Sequence, residues 1–176
     1  MNPSTCISFF FTIILILNIS HAISPNSGSK LYENVCNKAK DNERCLKLLE
    51  SNTQITLAKD YLTICKLFLE MALEKSKNAQ NILKTFMIQN PSSLAIKQCA
   101  TDDYNGLITS FKSSLDELVD DPLSANYDAK VAGDGPQACD RALANEKIVN
   151  PSISTINDEM TFLSVVGYLA TSYLRQ

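Results

Sequence analysis

The sequence predicts an all-α protein: an up-and-down four-helix bundle that is preceded by a short N-terminal helical hairpin and held by two disulfides. Three observations support this fold class. Apolar residues recur at steps of three and four over four long segments. Short turns that contain proline join these segments, and no stretch shows the period-two alternation of a strand. With 176 residues, the chain is long enough to bury a sizeable core.

The start of the chain is predicted to be a secretory signal peptide. Residues 7–17 form an apolar run that is too short to span a bilayer comfortably, and Ala22 ends a small-residue cleavage pattern. A membrane anchor is the alternative interpretation of this run. We expect residues 1–22 to be removed, which leaves one domain over residues 23–176. The single histidine, His21, is removed with the signal peptide.

Two short helices are expected next, over residues 30–39 and 42–49, and they would form the hairpin. The first bundle helix is predicted over residues 57–88, because no Pro or Gly interrupts that stretch and the residue before Pro91 is disfavoured in a helix. Its expected core-facing residues are Ala58, Leu62, Cys65, Leu69, Ala72, Ser76, Ala79, Leu83 and Phe86.

The second bundle helix is expected to start at Ser92 as its N-cap and to end at Asp120. The third would start at Pro122 and carry Leu123 and Tyr127 among its core-facing residues. We expect a kink or a break in it at residues 133–136, which read Gly-Asp-Gly-Pro. The last helix is predicted from about Ser154 to Leu174.

Cysteine usage indicates two disulfides and one free thiol. Of six cysteines, Cys6 lies in the signal peptide, and the odd number that remains suggests one unpaired residue in an oxidising compartment. Spacing alone leaves the pairing open. Cys65 lies on the expected core face, where a free cysteine behaves as a small hydrophobe, so it is the natural free thiol. The other four can then pair as Cys36–Cys45 and Cys99–Cys139.

No catalytic pattern emerges after signal cleavage. Without histidine, the chain cannot assemble a Ser-His-Asp or Cys-His site, and it has no C-x-x-C and no glycine-rich phosphate loop. Its net charge of −3 disfavours nucleic acid as a partner. Adjacent acids on a helix diverge, so they do not converge on one substrate bond. We therefore expect a protein that is not an enzyme, binds no metal or cofactor and acts through its surface. The adjacent acids are Asp102–Asp103, Asp116–Glu117, Asp120–Asp121 and Asp158–Glu159.

Several motifs lie in an order that is similar to one known family. They are the signal peptide, Cys36-x8-Cys45, the Cys99 helix with Tyr104 five residues on, the run from Asp134 to Asp140 that contains Cys139, and Asn150-Pro151-Ser152. Over roughly residues 29–175, the chain resembles the plant invertase/pectin methylesterase inhibitors. The resemblance implies the same bundle and hairpin, and disulfides Cys36–Cys45 and Cys99–Cys139.

The resemblance also implies a function. Members of the family are secreted to the plant cell wall and block one enzyme in a one-to-one complex over its active-site cleft. Pectin methylesterase is the leading target, and acid invertase is the alternative. A carrier or signalling bundle with no enzyme target is a third hypothesis, and no membrane contact is expected after signal cleavage. The expected inhibitory surface is the outer side of the third helix around Cys139, formed by Lys130, Asp134, Gln137 and Asp140.

Overall fold

The computed structural model describes residues 30–175, and the predicted signal peptide lies outside the described residues. This part of the chain consists of helices joined by short turns and has no strand. The helices are α1 (Leu31–Cys36), α2 (Asn42–Glu50), α3 (Thr53–Leu57), α4 (Tyr61–Gln89), α5 (Leu94–Gln98), α6 (Tyr104–Asp116), α7 (Pro122–Val131), α8 (Asp134–Asn145) and α9 (Pro151–Thr171). A π-helical segment, Cys99–Asp103, joins α5 to α6, and a 3-10 turn, Ser172–Leu174, follows α9.

Four helical segments form the bundle: α4, then α5 with α6, then α7 with α8, and finally α9. Helix α4 packs against α6 and α9, and α7 packs against the same two helices, which closes the ring. Large side chains fill its centre, with Phe68, Phe111 and Leu163 fully buried. The predicted fold class, a four-helix bundle with an N-terminal hairpin and two disulfides, is confirmed.

The first bundle helix begins at Tyr61 and not at Leu57 as predicted. Asp60 acts as its N-cap, with the Asp60 carboxylate accepting from the backbone N–H of Thr63 at 2.7 Å. Ala58 therefore lies outside the helix, and Leu62 is exposed. The buried face of α4 consists of Ile64, Cys65, Phe68, Leu69, Ala72, Ser76, Ala79, Gln80 and Leu83.

The second bundle helix is less regular than predicted. Its N-cap is Ser93 and not Ser92, and the Ser93 hydroxyl accepts from the N–H of Ile96 at 3.1 Å. The π-helical segment interrupts it, and α6 ends at Asp116. The last bundle helix starts at Pro151, earlier than expected, because Asn150 caps it and proline suits the first helical position.

The third bundle helix divides into α7 and α8 at Ala132 and Gly133, at the edge of the expected break. The prediction that Leu123 and Tyr127 face the core is wrong, because the buried face consists of small residues. A Cβ added at Gly167 of α9 would lie 3.5 Å from the Cβ of Ala129, so α7 and α9 approach too closely for a large side chain. The buried residues of this stretch are Ala125, Asn126, Ala129 and Ala132.

Two disulfides connect neighbouring elements. Cys36–Cys45 joins α1 to α2, with Cα atoms 5.4 Å apart, and Cys99–Cys139 joins the π-helical segment to α8, with Cα atoms 4.7 Å apart. Cys65 is buried and unpaired in the part of the chain that the structure describes. One bridge thus closes the hairpin, and the other crosses the bundle.

Aromatic and ionic contacts attach the hairpin to the end of the bundle. The ring of Tyr173 stacks on that of Tyr61, with centroids 4.2 Å apart, and the Tyr173 hydroxyl donates to the carbonyl oxygen of Asn34 at 2.8 Å. On α2, Arg44 forms a 2.8 Å ion pair with Asp158 of α9. The hairpin is therefore held both by α9 and by the 3-10 turn that follows it.

Candidate functional site

The four residues predicted to form the inhibitory surface are all exposed, on α7 and α8. Lys130 lies in the last turn of α7, Asp134 begins α8, and Gln137 lies one turn further on. The structure brings these three together around one open cavity of about 440 Å³. It places Asp140 elsewhere, beside the loop between α8 and α9.

A second cavity, of about 430 Å³, adjoins the first and shares Tyr127, Lys130 and Tyr168 with it. Together the two form one depression between the third bundle helix and α9, which we call the α7–α9 groove. We define it by Leu123, Tyr127, Lys130, Asp134, Gln137, Val165, Tyr168 and Arg175.

Sequence reasoning missed the apolar part of this groove. Leu123 and Tyr127 are 61% and 64% exposed, although the heptad pattern assigns them to the core. The signal that could have shown this is the recurrence of alanine at positions 125, 129 and 132, because a stripe of small residues marks the side of a helix that approaches a neighbour closely. With alanine on the inner face, the larger side chains of α7 point outward.

Hydrogen bonds fix the floor of the groove. The Ser164 hydroxyl lies 2.8 Å from the carbonyl oxygens of both Ala129 and Lys130, at the C-terminal end of α7. The side-chain amide of Asn126 donates to the carbonyl oxygen of Tyr168 at 2.8 Å. The guanidinium of Arg175 donates to Asn126 Oδ1 at 2.9 Å. The relative positions of α7, α9 and the C-terminal turn are therefore set before any partner binds.

Asp140 belongs to a separate hydrogen-bond network, which leads from the surface to the buried Asn157 and Tyr104. The Tyr104 hydroxyl donates to Asn157 Oδ1 at 2.7 Å, and Asn157 Nδ2 donates to Asp140 Oδ1 at 2.6 Å. Burial of Tyr104 raises the pKa of its hydroxyl, and the negative charge of Asp140 adds to the shift. The hydroxyl therefore stays a hydrogen-bond donor. These contacts join α6, α8 and α9, so Asp140 has a bracing role besides its exposed position.

The family model described as plant invertase/pectin methylesterase inhibitor matches residues 30–168. The chain belongs to this family. The match covers every bundle helix, including α7, α8 and most of α9, so it includes all the groove residues except Arg175.

Two solved structures share the fold of this family member. One is the crystal structure of mutant form A of a pectin methylesterase inhibitor from Arabidopsis, which is 18% identical with a TM-score of 0.70 and covers 80% of this chain and 95% of that chain. The other is the crystal structure of a pectin methylesterase inhibitor from Arabidopsis thaliana, which is 18% identical with a TM-score of 0.60 and covers 84% of this chain and 98% of that chain. A comparison with curated proteins found no match.

In this member of the inhibitor family, Cys65 is buried, and Asp158 and Glu159 form ion pairs. Burial raises the pKa of the Cys65 thiol to about 12, with a further contribution from the negative charge of Asp60, so the thiol is a poor nucleophile. Asp158 pairs with Arg44, and Glu159 pairs with Lys75 at 2.8 Å. Over residues 30–175, no three His, Cys, Asp or Glu side chains are grouped to hold a metal ion, and no helix there is long and apolar enough to cross a membrane.

Proposed function

We propose that this protein is a secreted inhibitor of a plant cell-wall enzyme, and that its target is pectin methylesterase. The observation that carries the proposal is the family match over residues 30–168. The fold is shared with two Arabidopsis pectin methylesterase inhibitors, which supports this target over acid invertase. Acid invertase stays the second candidate, because the family description names both enzymes.

The inhibitor would bind one enzyme molecule and cover its active-site cleft. A rigid surface favours such binding, because little side-chain and loop entropy is then lost in the complex. The disulfide Cys99–Cys139 and the hydrogen bonds beneath α7 supply that rigidity next to Lys130, Asp134, Gln137 and Asp140. We propose these four residues as part of the contact surface.

Secretion belongs to the same proposal. We infer that residues 1–22 are a signal peptide and that the mature inhibitor domain, residues 23–176, acts in the apoplast. N-terminal sequencing of protein secreted from the full-length chain tests this inference. We expect the first residue to be Ile23. Retention of residues 7–17 in a membrane fraction would contradict it.

The target is tested by residual activity. Purified secreted protein is mixed in increasing amounts with pectin methylesterase and, separately, with acid invertase at mildly acidic pH. We expect stoichiometric loss of pectin methylesterase activity and co-elution of one inhibitor with one enzyme from a sizing column. Inhibition of invertase alone would show that acid invertase, and not pectin methylesterase, is the target. If neither enzyme is inhibited, a carrier or signalling bundle is the better hypothesis.

A further inference from the structure

The end of the α7–α9 groove near the C-terminal turn carries two cations that are not paired with an acid. Five ion pairs join residues within the range 30–175, and none of them includes Lys130 or Arg175. Arg175 instead donates to the neutral oxygen of Asn126, and the Lys130 ammonium lies 5.7 Å from the centroid of the Tyr168 ring. This end of the groove is therefore locally positive, in a protein whose net charge is −3.

Exposed apolar side chains surround these cations. Leu123, Tyr127 and Lys130 are spaced four and three residues apart on α7, so they share one side of the helix. Leu123 and Tyr127 keep about three-fifths of their surface in water without a partner. Tyrosine and arginine are, with tryptophan, the residue types that are enriched among those that dominate binding energy at protein interfaces. The combination is typical of a protein-binding surface more than of a solvated helix face.

The geometry points to an anchoring role for this end of the groove: it receives a carboxylate side chain from the rim of the target enzyme's cleft. In this arrangement Lys130 and Arg175 bind the carboxylate, while Leu123 and Tyr127 pack on the apolar surface around it and exclude water. This inference rests on the proposed function, because the occupant is part of the inhibited enzyme. It adds Leu123, Tyr127, Tyr168 and Arg175 to the contact surface.

Charge favours a single carboxylate on a protein over an acidic polysaccharide. Asp134 lines the adjoining half of the groove, and Asp128 lies on α7 beside Tyr127. A polyanion would extend past the cations and meet these acids, in a protein that is already negative overall. A lone acidic side chain can reach Lys130 and Arg175 without that repulsion. The fixed position of Arg175 on Asn126 also suits one directed ion pair.

Two variants test the inference on the complete secreted protein. Tyr127→Ala removes the aromatic anchor, and Lys130→Glu reverses the charge that faces the carboxylate. We expect each to raise the inhibition constant for the target enzyme at least tenfold, because a buried interface anchor contributes on this scale. Added salt should weaken inhibition by the wild type and affect Lys130→Glu much less. Circular dichroism and the melting temperature verify that both variants are folded.

Matched controls lie on other faces of the molecule. Lys66→Glu makes the same charge change at an exposed position of α4, and Leu57→Ala removes an exposed apolar side chain at the end of α3. Both should inhibit within twofold of the wild type. If Tyr127→Ala and Lys130→Glu behave like these controls, the anchoring role is overturned, whereas the proposed function stands because the wild type still inhibits.

Two other results are informative. Failure of the wild type to inhibit either enzyme would overturn the proposed function and the anchor with it. A titration with an oligomer of galacturonic acid, followed by NMR shifts, examines the competing ligand. Three results together would overturn the anchor: the oligomer binds the groove, Lys130→Glu abolishes that binding, and the same variant inhibits the enzyme as well as the wild type does. The occupant of the groove would then be an acidic polysaccharide.

Discussion

At Gly135 the backbone of α8 comes into direct contact with the end of the π-helical segment. A Cβ added at Gly135 would overlap the carbonyl oxygen of Asp103, and a backbone oxygen cannot move aside as a flexible side chain can. This approach lies four residues from Cys139, so the close contact and the Cys99–Cys139 bridge join the same two elements. The Gly-Asp-Gly-Pro run predicted a kink or a break near this position, but the close contact depends on Asp103, which is distant in sequence.

Gly135→Ala should destabilise the protein by about 3 kcal/mol, at the upper end of what overpacking usually costs. Urea unfolding followed by circular dichroism gives the free energy of unfolding. Gly106→Ala is the matched control, since a Cβ there meets nothing within 4 Å inside α6. That change should stabilise by about 0.5–1 kcal/mol, because alanine is the better helix former. Equal effects of the two substitutions would contradict the close contact.

Glu117 is expected to make stability fall as pH rises. Partial desolvation raises the pKa of this carboxyl above its ordinary 4.5, and the negative charge of Asp128 and a hydrogen bond with it act in the same direction, with Asp121 and Asp116 adding to the shift. One carboxylate oxygen of Glu117 is also buried with no hydrogen-bond partner among the described residues. A raised pKa means that the folded state binds the proton more tightly than the unfolded chain, so stability decreases as pH rises through the range above 4.5.

The free energy of unfolding, measured from pH 4 to pH 7, should therefore decline less in Glu117→Gln than in the wild type. Glu74→Gln, at an exposed position of α4, is the control and should leave the wild-type profile unchanged. If the free energy of unfolding depends on pH in the same way in the wild type and in Glu117→Gln, then the Glu117 carboxyl does not cause the pH dependence.

At the scale of elements, the sequence predicted which helices exist better than it predicted their ends and inner faces. Proline-containing turns and three-and-four periodicity located all four bundle helices, since both are local properties. The π-helical segment Cys99–Asp103 was not predicted, because an extra residue in a turn leaves the apolar pattern nearly intact. The outward side of α7 was assigned wrongly because Leu123 and Tyr127 fit a heptad, and only the approach of Gly167 shows that alanine is required inside.

The same limit applies to the candidate site. Lys130, Asp134 and Gln137 could be proposed from the outer side of one helix and a family resemblance. Tyr168, Val165 and Arg175 could not, because they reach the groove only through the packing of α9 beside α7. Which neighbour a helix face meets is a tertiary property that one sequence does not contain.

Helix capping gives a prediction at this scale. Asp121 caps α7, and its carboxylate accepts from the N–H and the hydroxyl of Ser124 at 3.1 and 2.7 Å. The side-chain hydrogen bond from Ser124 is the main cause that lowers the pKa of Asp121 below its ordinary 3.8. A lowered pKa stabilises the folded state above pH 3.8, and that stability is lost as pH falls through the folded-state pKa.

Asp121→Ala should therefore lower the melting temperature at neutral pH, and its difference from the wild type should shrink below pH 3.8. Asp120→Ala is the natural control, because Asp120 is exposed and lies next to the cap but does not itself cap α7. We expect only a small change there. A melting temperature that fell equally in both variants would point to lost charge and not to a lost cap.

At the scale of the whole molecule, the two disulfides differ in how much chain they close. Cys99–Cys139 encloses a separation of 40 residues, and Cys36–Cys45 encloses 9. Constraint of the unfolded chain then contributes about 4 kcal/mol for the first and about 2.5 kcal/mol for the second. The sulfur-bearing residues are all fully buried, so the packing cost of replacing them is similar for the two bridges.

Replacing Cys99 and Cys139 together by alanine should cost more stability than the same change at Cys36 and Cys45, by about 1.5 kcal/mol. Urea unfolding of the two double variants measures the difference directly. A larger loss from the hairpin bridge would mean that docking of α1 and α2 on the bundle, and not loop entropy, dominates the effect of that bridge.

The number and position of the free thiols test the disulfide pairing. Labelling of the mature protein without reduction should give no modification while it is folded, because Cys65 is fully buried. After denaturation, still without reduction, one thiol should react, and peptide mapping should assign it to Cys65. Recovery of the label at any other cysteine would contradict the pairing Cys36–Cys45 and Cys99–Cys139.

Tyr173 makes the two ends of the described chain depend on each other. Its ring covers Tyr61, its hydroxyl holds the backbone of Asn34, and the ammonium of Lys38 lies 3.9 Å from its centroid. A carboxypeptidase that removed Tyr173 would also remove these contacts to the N-terminal hairpin, although Tyr173 and Asn34 are more than a hundred residues apart in sequence. Removal of C-terminal residues would thus first release the α1–α2 hairpin, while the helices of the bundle stayed assembled.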